Sequence, residues 1–313
     1  MAGIRTIHHL TRGRTYARWD HSIPPLVTVQ SGETVEFETK EASDNQVTPH
    51  SDVTAIEQLN FDLIHPLTGP VFVGGAEPGD TLQVEVVDVQ HEGWGWTAQS
   101  PGFGLLAEDF PKAYLHLWEL RHADWAELQP GIRVRLEPFL GVMGLAWEEE
   151  GEFTTIPPRA VGGNIDIKQL VRGSSLLLPV RVQGALFSCG DGHAAQGDGE
   201  VCGTGIETPI HCSLRFTVRR DISVKEPQFI YPGNIRAHQS ASGYHVTCGV
   251  APDLMEASQN AVRHMIEHLG KRFRLTPEEA YVLCSVAVDL RISEVVDAPN
   301  WIVSAFLPLD LFK

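Results

Sequence analysis

Period-two alternation of apolar and polar residues, in short runs cut by glycine and proline, constrains this chain more than any other feature. Val35 and Phe37 alternate with Glu36 and Glu38, and Leu82, Val84 and Val86 with Gln83 and Glu85. The pattern returns at Ile132, Val134 and Leu136 against Arg133 and Arg135, and at Leu214, Phe216 and Val218 against Arg215, Thr217 and Arg219. Such a run buries every second side chain, so each is predicted to be a half-buried strand. Ser31-Gly32, Pro78-Gly79-Asp80 and Pro130-Gly131 supply turns between the runs. Many short strands joined in this way imply sheet packed on sheet, a mainly β fold of α+β type. The glycine-rich stretch from Gly141 to Gly163 is the expected join between a β-rich N-terminal half, residues 1–140, and a C-terminal half, residues 141–313.

Helix is expected only late. Leu254, Ala257, Ala261, Val262, Met265, Ile266 and Leu269 share one face at helical spacing, with Gly270 placed to end the helix in a left-handed cap. Thr276-Pro277-Glu278-Glu279 combines a capping box with proline at the first helical position and predicts a second helix through Leu283. The two are expected to form an antiparallel pair covering a sheet.

Composition narrows the function classes. Forty acidic against 24 basic side chains give a formal charge of −16 with no segregated basic patch, which argues against binding to a phosphate backbone. Five cysteines without a CxxC pair argue against a disulfide framework and a zinc knuckle, and point to a reducing, cytoplasmic setting. Met1 to Leu10 lack the unbroken apolar stretch of a signal peptide, and apolar runs such as Leu176–Leu178 fall far short of the ~20 residues of a membrane span.

The chemistry concentrates in Gly190–Glu207, which sets six glycines among Asp191, Asp198, Glu200, Glu207 and His193. Glycine lets backbone turn sharply and approach a ligand, so this segment can aim several donors at one point. Leu176–Phe187 before it and Ile210–Val218 after it read as strand, so the acidic loop sits between rigid supports. Asp191 and His193, two apart, share a face in extended backbone and offer a carboxylate oxygen and an imidazole nitrogen to one divalent ion. Asp166, in the polar break Gly163–Lys168, is the expected third donor. A plain surface turn is the alternative reading of the same glycines. Gly197-x-Gly199-x-x-x-Gly203 misses the dinucleotide spacing, and neighbouring carboxylates oppose a phosphate. Cys189, four residues before His193, allows a Cys-His reading, while Gly173-Ser174-Ser175 near Lys168 reads as a turn. His50 and His65 lie in polar loops where a ligand or a surface imidazole is natural.

Several segments together resemble the acetamidase/formamidase family: Trp19–Pro25 with Gly32–Val35, His65–Pro70 before Gly75–Asp80, Gly141–Gly144, Gly162–Lys168, the Gly190–Glu207 loop, and Val288–Asp297. The resemblance spans essentially the whole chain. It implies a β-sandwich of CUB-like, jelly-roll type, a homo-oligomeric cytoplasmic enzyme, and hydrolysis of short-chain amides, formamide or acetamide, to carboxylate and ammonia. It also implies a bound divalent metal, zinc before calcium, held by Asp166, Asp191 and His193, with Glu207 or Glu200 as the proton-transfer group. Asn164, Gln196, His50 and His65 are the candidate substrate-binding residues. A metal-activated water would supply the nucleophile, with general acid-base help worth roughly a hundredfold to ten-thousandfold. Lys168 or a backbone N–H is a candidate for the oxyanion. Two alternatives stand beside this: Cys189 as nucleophile with a structural metal, and a metal-binding sandwich without turnover.

Overall fold

The computed structural model describes residues 7–122, 124–233 and 240–312; residues 1–6 of the Met1–Leu10 stretch lie outside them. Two sheets form the body. The first runs in the order Ile7–Leu10, Thr34–Glu38, Ile210–Arg219, Thr81–His91, Ser175–Pro179, Gln228–Ile230. The second runs Gly162–Asn164, Phe139–Leu145, Phe187–His193, Leu67–Gly74, Thr15–Tyr16, with Val27–Gln30 also paired to Leu67–Gly74.

The alternation seen in the sequence explains how they pack. Val35 and Phe37 are buried, while Glu36 and Glu38 on the other face of the strand keep contact with water. Leu82, Val84, Leu214 and Phe216 are buried in the same alternating way. From the second sheet, Val71, Val73, Leu140, Phe187 and Cys189 meet these side chains in one apolar core. Phe37, Phe187 and Phe216 lock the sheets together edge to face, with ring centroids 5.0–6.4 Å apart. The expected boundary after residue 140 falls inside the strand Phe139–Leu145, and both sheets take strands from either side of it.

A second core lies under the C-terminal helices. Helix Leu254–Phe273 covers the three-stranded sheet Tyr244–Ala251, Trp301–Pro308, Asp289–Glu294 through Ala257, Ala261, Met265 and Leu269. This helix does not stop at Gly270. It continues to Phe273 and ends at Arg274, whose φ is 60°, because Phe273 stacks on Phe312 at 3.6 Å and draws the last turn onto the core. Helix Pro277–Ala287 opens with the predicted capping box, Thr276 accepting from the Glu279 N–H and Glu279 accepting from the Thr276 N–H. No helix among the described residues is long and apolar enough to cross a membrane.

The expected strand Leu176–Phe187 is broken. It stops at Pro179, turns through Gly184, Ala185 and Leu186, all at positive φ, and resumes as Phe187–His193. The start of the acidic segment is therefore strand, not loop. Gly190 and Gly192 permit this, since a β-carbon would lie 2.5 Å from the Pro66 carbonyl oxygen at the first and 2.1 Å from the Ile210 side chain at the second.

Candidate active site

Asp191 and His193 stand at the end of the Phe187–His193 strand, paired to Phe139–Leu145 so that His193 faces Phe139. Asp166 reaches them from the neighbouring chain segment, where the N–H groups of Ile165 and Asp166 both donate to the Gly141 carbonyl. Glu207 arrives on the far side, its backbone exchanging hydrogen bonds of 2.8 and 2.9 Å with Trp96. Gly95 permits that approach, because a β-carbon there would sit 2.7 Å from the Glu207 carbonyl oxygen. Glu200 projects from the turn that follows the strand, and His65 from the loop before Leu67–Gly74.

Two overlapping donor groups result: Asp166, Asp191 and His193, and His193, Glu200 and Glu207, with the donor atoms of each within 4.8 Å of one another. His193 Nε2 is 3.1 Å from Glu207 Oε2, 3.5 Å from Asp191 Oδ1 and 3.9 Å from Glu200 Oε1. Ligands at zinc distances of about 2.0–2.2 Å in a tetrahedron stand about 3.3–3.6 Å apart, so this spacing suits one small cation. Asp166 Oδ1, Asp191 Oδ1, His193 Nε2 and Glu207 Oε2 are all buried without a hydrogen-bond partner. Buried polar atoms are rarely left so, and four around one point fit a cation. Gly141 leaves the room, for a β-carbon there would lie 2.5 Å from Asp166 Oδ1 and 2.8 Å from Asp191 Oδ2.

The backbone is bent to make this cluster. His65, Asp166, Asp191 and Glu200 all have φ between 43° and 55°, the left-handed region that side chains other than glycine seldom enter. Conformations of this kind cost on the order of 1–3 kcal/mol each and persist where surrounding structure enforces them. The C-terminal helix does much of the enforcing: Gly197 N–H donates to the Ser285 carbonyl, Cys202 N–H to Ser285 Oγ, and Tyr281 Oη to the Val201 carbonyl.

The electrostatics call for positive charge. Burial opposes a proton on His193, yet the Glu207 and Asp191 carboxylates outweigh it and raise its proton affinity well above the imidazole range. Burial would likewise raise Asp191, but His65 and His193 hold it below the carboxylate range. Burial lifts Asp166 well above that range, and lifts Glu200 and Glu207 each to about 8 despite the opposing pull of His193.

The other expected residues divide. His65 and Asn164 line the same cavity as Asp166, Asp191, Glu200 and Glu207. Gln196 instead sits behind the imidazole, its Oε1 2.8 Å from His193 Nδ1 while its Nε2 donates to the Asp166 carbonyl. That contact places the proton on Nδ1 and leaves Nε2 free to bind a cation. His50 is exposed in its loop and does not line the cavity. Lys168 pairs with Asp289 in a buried ion pair, so it supports the fold rather than an oxyanion. Cys189 lies in the apolar core between the sheets, where burial pushes its thiol up, which removes the geometric basis for it as nucleophile. Trp96 and Gly141 hold positions the sequence reading missed; the glycine pattern of Gly141–Gly144 was the available signal.

The model of the acetamidase/formamidase family matches residues 6–151 and 148–313. An acetamidase of Mycolicibacterium smegmatis is 29% identical, covering 85% of this chain and 84% of its own. Among solved structures, a gamma lactamase from Delftia acidovorans superposes with a TM-score of 0.89 at 27% identity, covering 96% of this chain and 89% of its own. An acetamidase from Bacillus halodurans superposes with a TM-score of 0.68 at 32% identity, covering 96% and 97%. The chain belongs to the acetamidase/formamidase family of amide hydrolases.

Proposed function

We propose that Asp166, Asp191 and His193 hold a divalent cation and that the site cleaves a primary amide to a carboxylate and ammonia. The observation that carries this reading is the set of buried, unpartnered donor atoms converging from separate segments. The imidazole in the set favours zinc or a similar transition ion over calcium, which prefers six to eight oxygen ligands. A divalent cation bound here supplies Lewis acidity, lowering the pKa of water toward about 7 and polarising a carbonyl.

The chain's own groups do the rest. Gln196 orients His193, and the Gly205 N–H holds Glu207 Oε1 at 2.8 Å while leaving Oε2 free toward the cavity. With a cation in place to offset the burial that lifts it, Glu207 would take the proton from the attacking water and return it to the departing nitrogen, so the C–N bond breaks once the new C–O bond is made and ammonia leaves. Asn164 and His65 line the same floor and orient the amide. Formamide and acetamide are the smallest amides this reading admits. Assembly of identical subunits is proposed on the family resemblance and is tested by light scattering.

Asp191→Ala and His193→Ala test the reading. Each is expected to abolish ammonia release and lower bound metal while the far-ultraviolet circular dichroism stays unchanged. Full turnover in both variants would overturn it. The higher TM-score with the gamma lactamase favours a second reading, in which a cyclic amide is opened to an amino acid without ammonia; ring-opening assays separate the two.

A further inference from the structure

We infer that the substrate's acyl group is large, apolar and uncharged, an inference that rests on the amide-hydrolase reading of the site. The cavity above the carboxylates holds about 540 Å³. That lies within the roughly 300–1,000 Å³ of pockets that enclose drug-sized ligands, far more than acetamide needs. Its charged groups are gathered in the donor cluster and Ser100, Thr204 and Gln259 add polar atoms to the wall, whereas Phe61, Ile64, Trp96, Phe103, Leu105 and Ile156 supply its apolar part.

The wall is built. Glu41 is fully buried and accepts from Trp96 Nε1 at 2.8 Å, which fixes the indole against the cavity. Phe103 lies against Gly203, where a β-carbon would come within 2.5 Å of its ring. Phe61 and Phe103 nevertheless remain 44% exposed, so apolar surface stands open to water at the cavity. An apolar acyl group would cover it. The acidic floor disfavours an acyl group that carries its own carboxylate.

A series of primary amides, acetamide, butanamide, hexanamide and phenylacetamide, tests this with the full chain. Burial of each methylene is worth about fourfold in kcat/KM, so hexanamide should exceed acetamide by more than about a hundredfold. Calorimetry on Glu207→Gln should show affinity rising in the same order, a readout independent of turnover. Phe103→Ser, at an exposed position, should lower the hexanamide-to-acetamide ratio by about tenfold. Acetamide turnover with a flat or falling series overturns the inference and leaves the amide reading standing. Ammonia from none of the four overturns both.

Discussion

Gly141→Ala adds a single methyl group at the point where the donor cluster is tightest. The β-carbon would lie 2.5 Å from Asp166 Oδ1, 2.8 Å from Asp191 Oδ2 and 3.0 Å from His193 Cε1. Ordinary contact begins at 3.4 Å, so the Asp166 carboxylate must retreat by about 0.9 Å and that of Asp191 by about 0.6 Å. Gly141 is not in the left-handed region, so the effect is steric and not conformational. Overpacking of this kind costs about 1–3 kcal/mol, and a displacement near 1 Å at reacting groups costs on the order of a hundredfold in rate. Urea denaturation, metal analysis and ammonia release measure the three consequences, with Gly13→Ala, whose nearest neighbour would be 3.6 Å away, as the control. The variant should stay folded, bind metal more weakly and lose about a hundredfold in kcat/KM. Wild-type metal content and turnover in Gly141→Ala would show that the cluster does not depend on the missing β-carbon.

Gln196→Leu removes the partner of His193 Nδ1 and should weaken metal affinity about 10–100-fold, measured by chelator competition. His116, set edge-on against Trp118 at 4.4 Å, has its pKa lowered by burial to about 4. The unfolded chain protonates first as pH falls below about 6.5, so the contribution of neutral His116 is complete above that pH and is lost toward pH 4, up to about 3 kcal/mol. His116→Gln should flatten this part of the denaturation profile, and an unchanged profile would contradict the assignment.

The sheets were legible because alternation is local: Val35, Phe37, Leu214 and Phe216 announce their burial one residue at a time. Asp166, Asp191 and His193 could be named because they are chemically conspicuous among glycines. What escaped depends on contacts between distant segments. Gln196 turns to the back of the imidazole because the Asp166 carbonyl holds its other end, and no spacing rule encodes that. The helix past Gly270 is extended by Phe312, far away in sequence. The break after Pro179 turns at Gly184, where a β-carbon would lie 2.2 Å from the Phe72 ring, and the left-handed Asp191 is flanked by Gly190 and Gly192, packed against Pro66 and Ile210.

The most direct measurement is metal content and ammonia release before chelation, after it, and after returning zinc. Near-stoichiometric metal is expected in the purified chain, with loss of turnover in the stripped but folded protein and recovery with zinc. Undiminished turnover in folded protein from which all metal has been removed would contradict it.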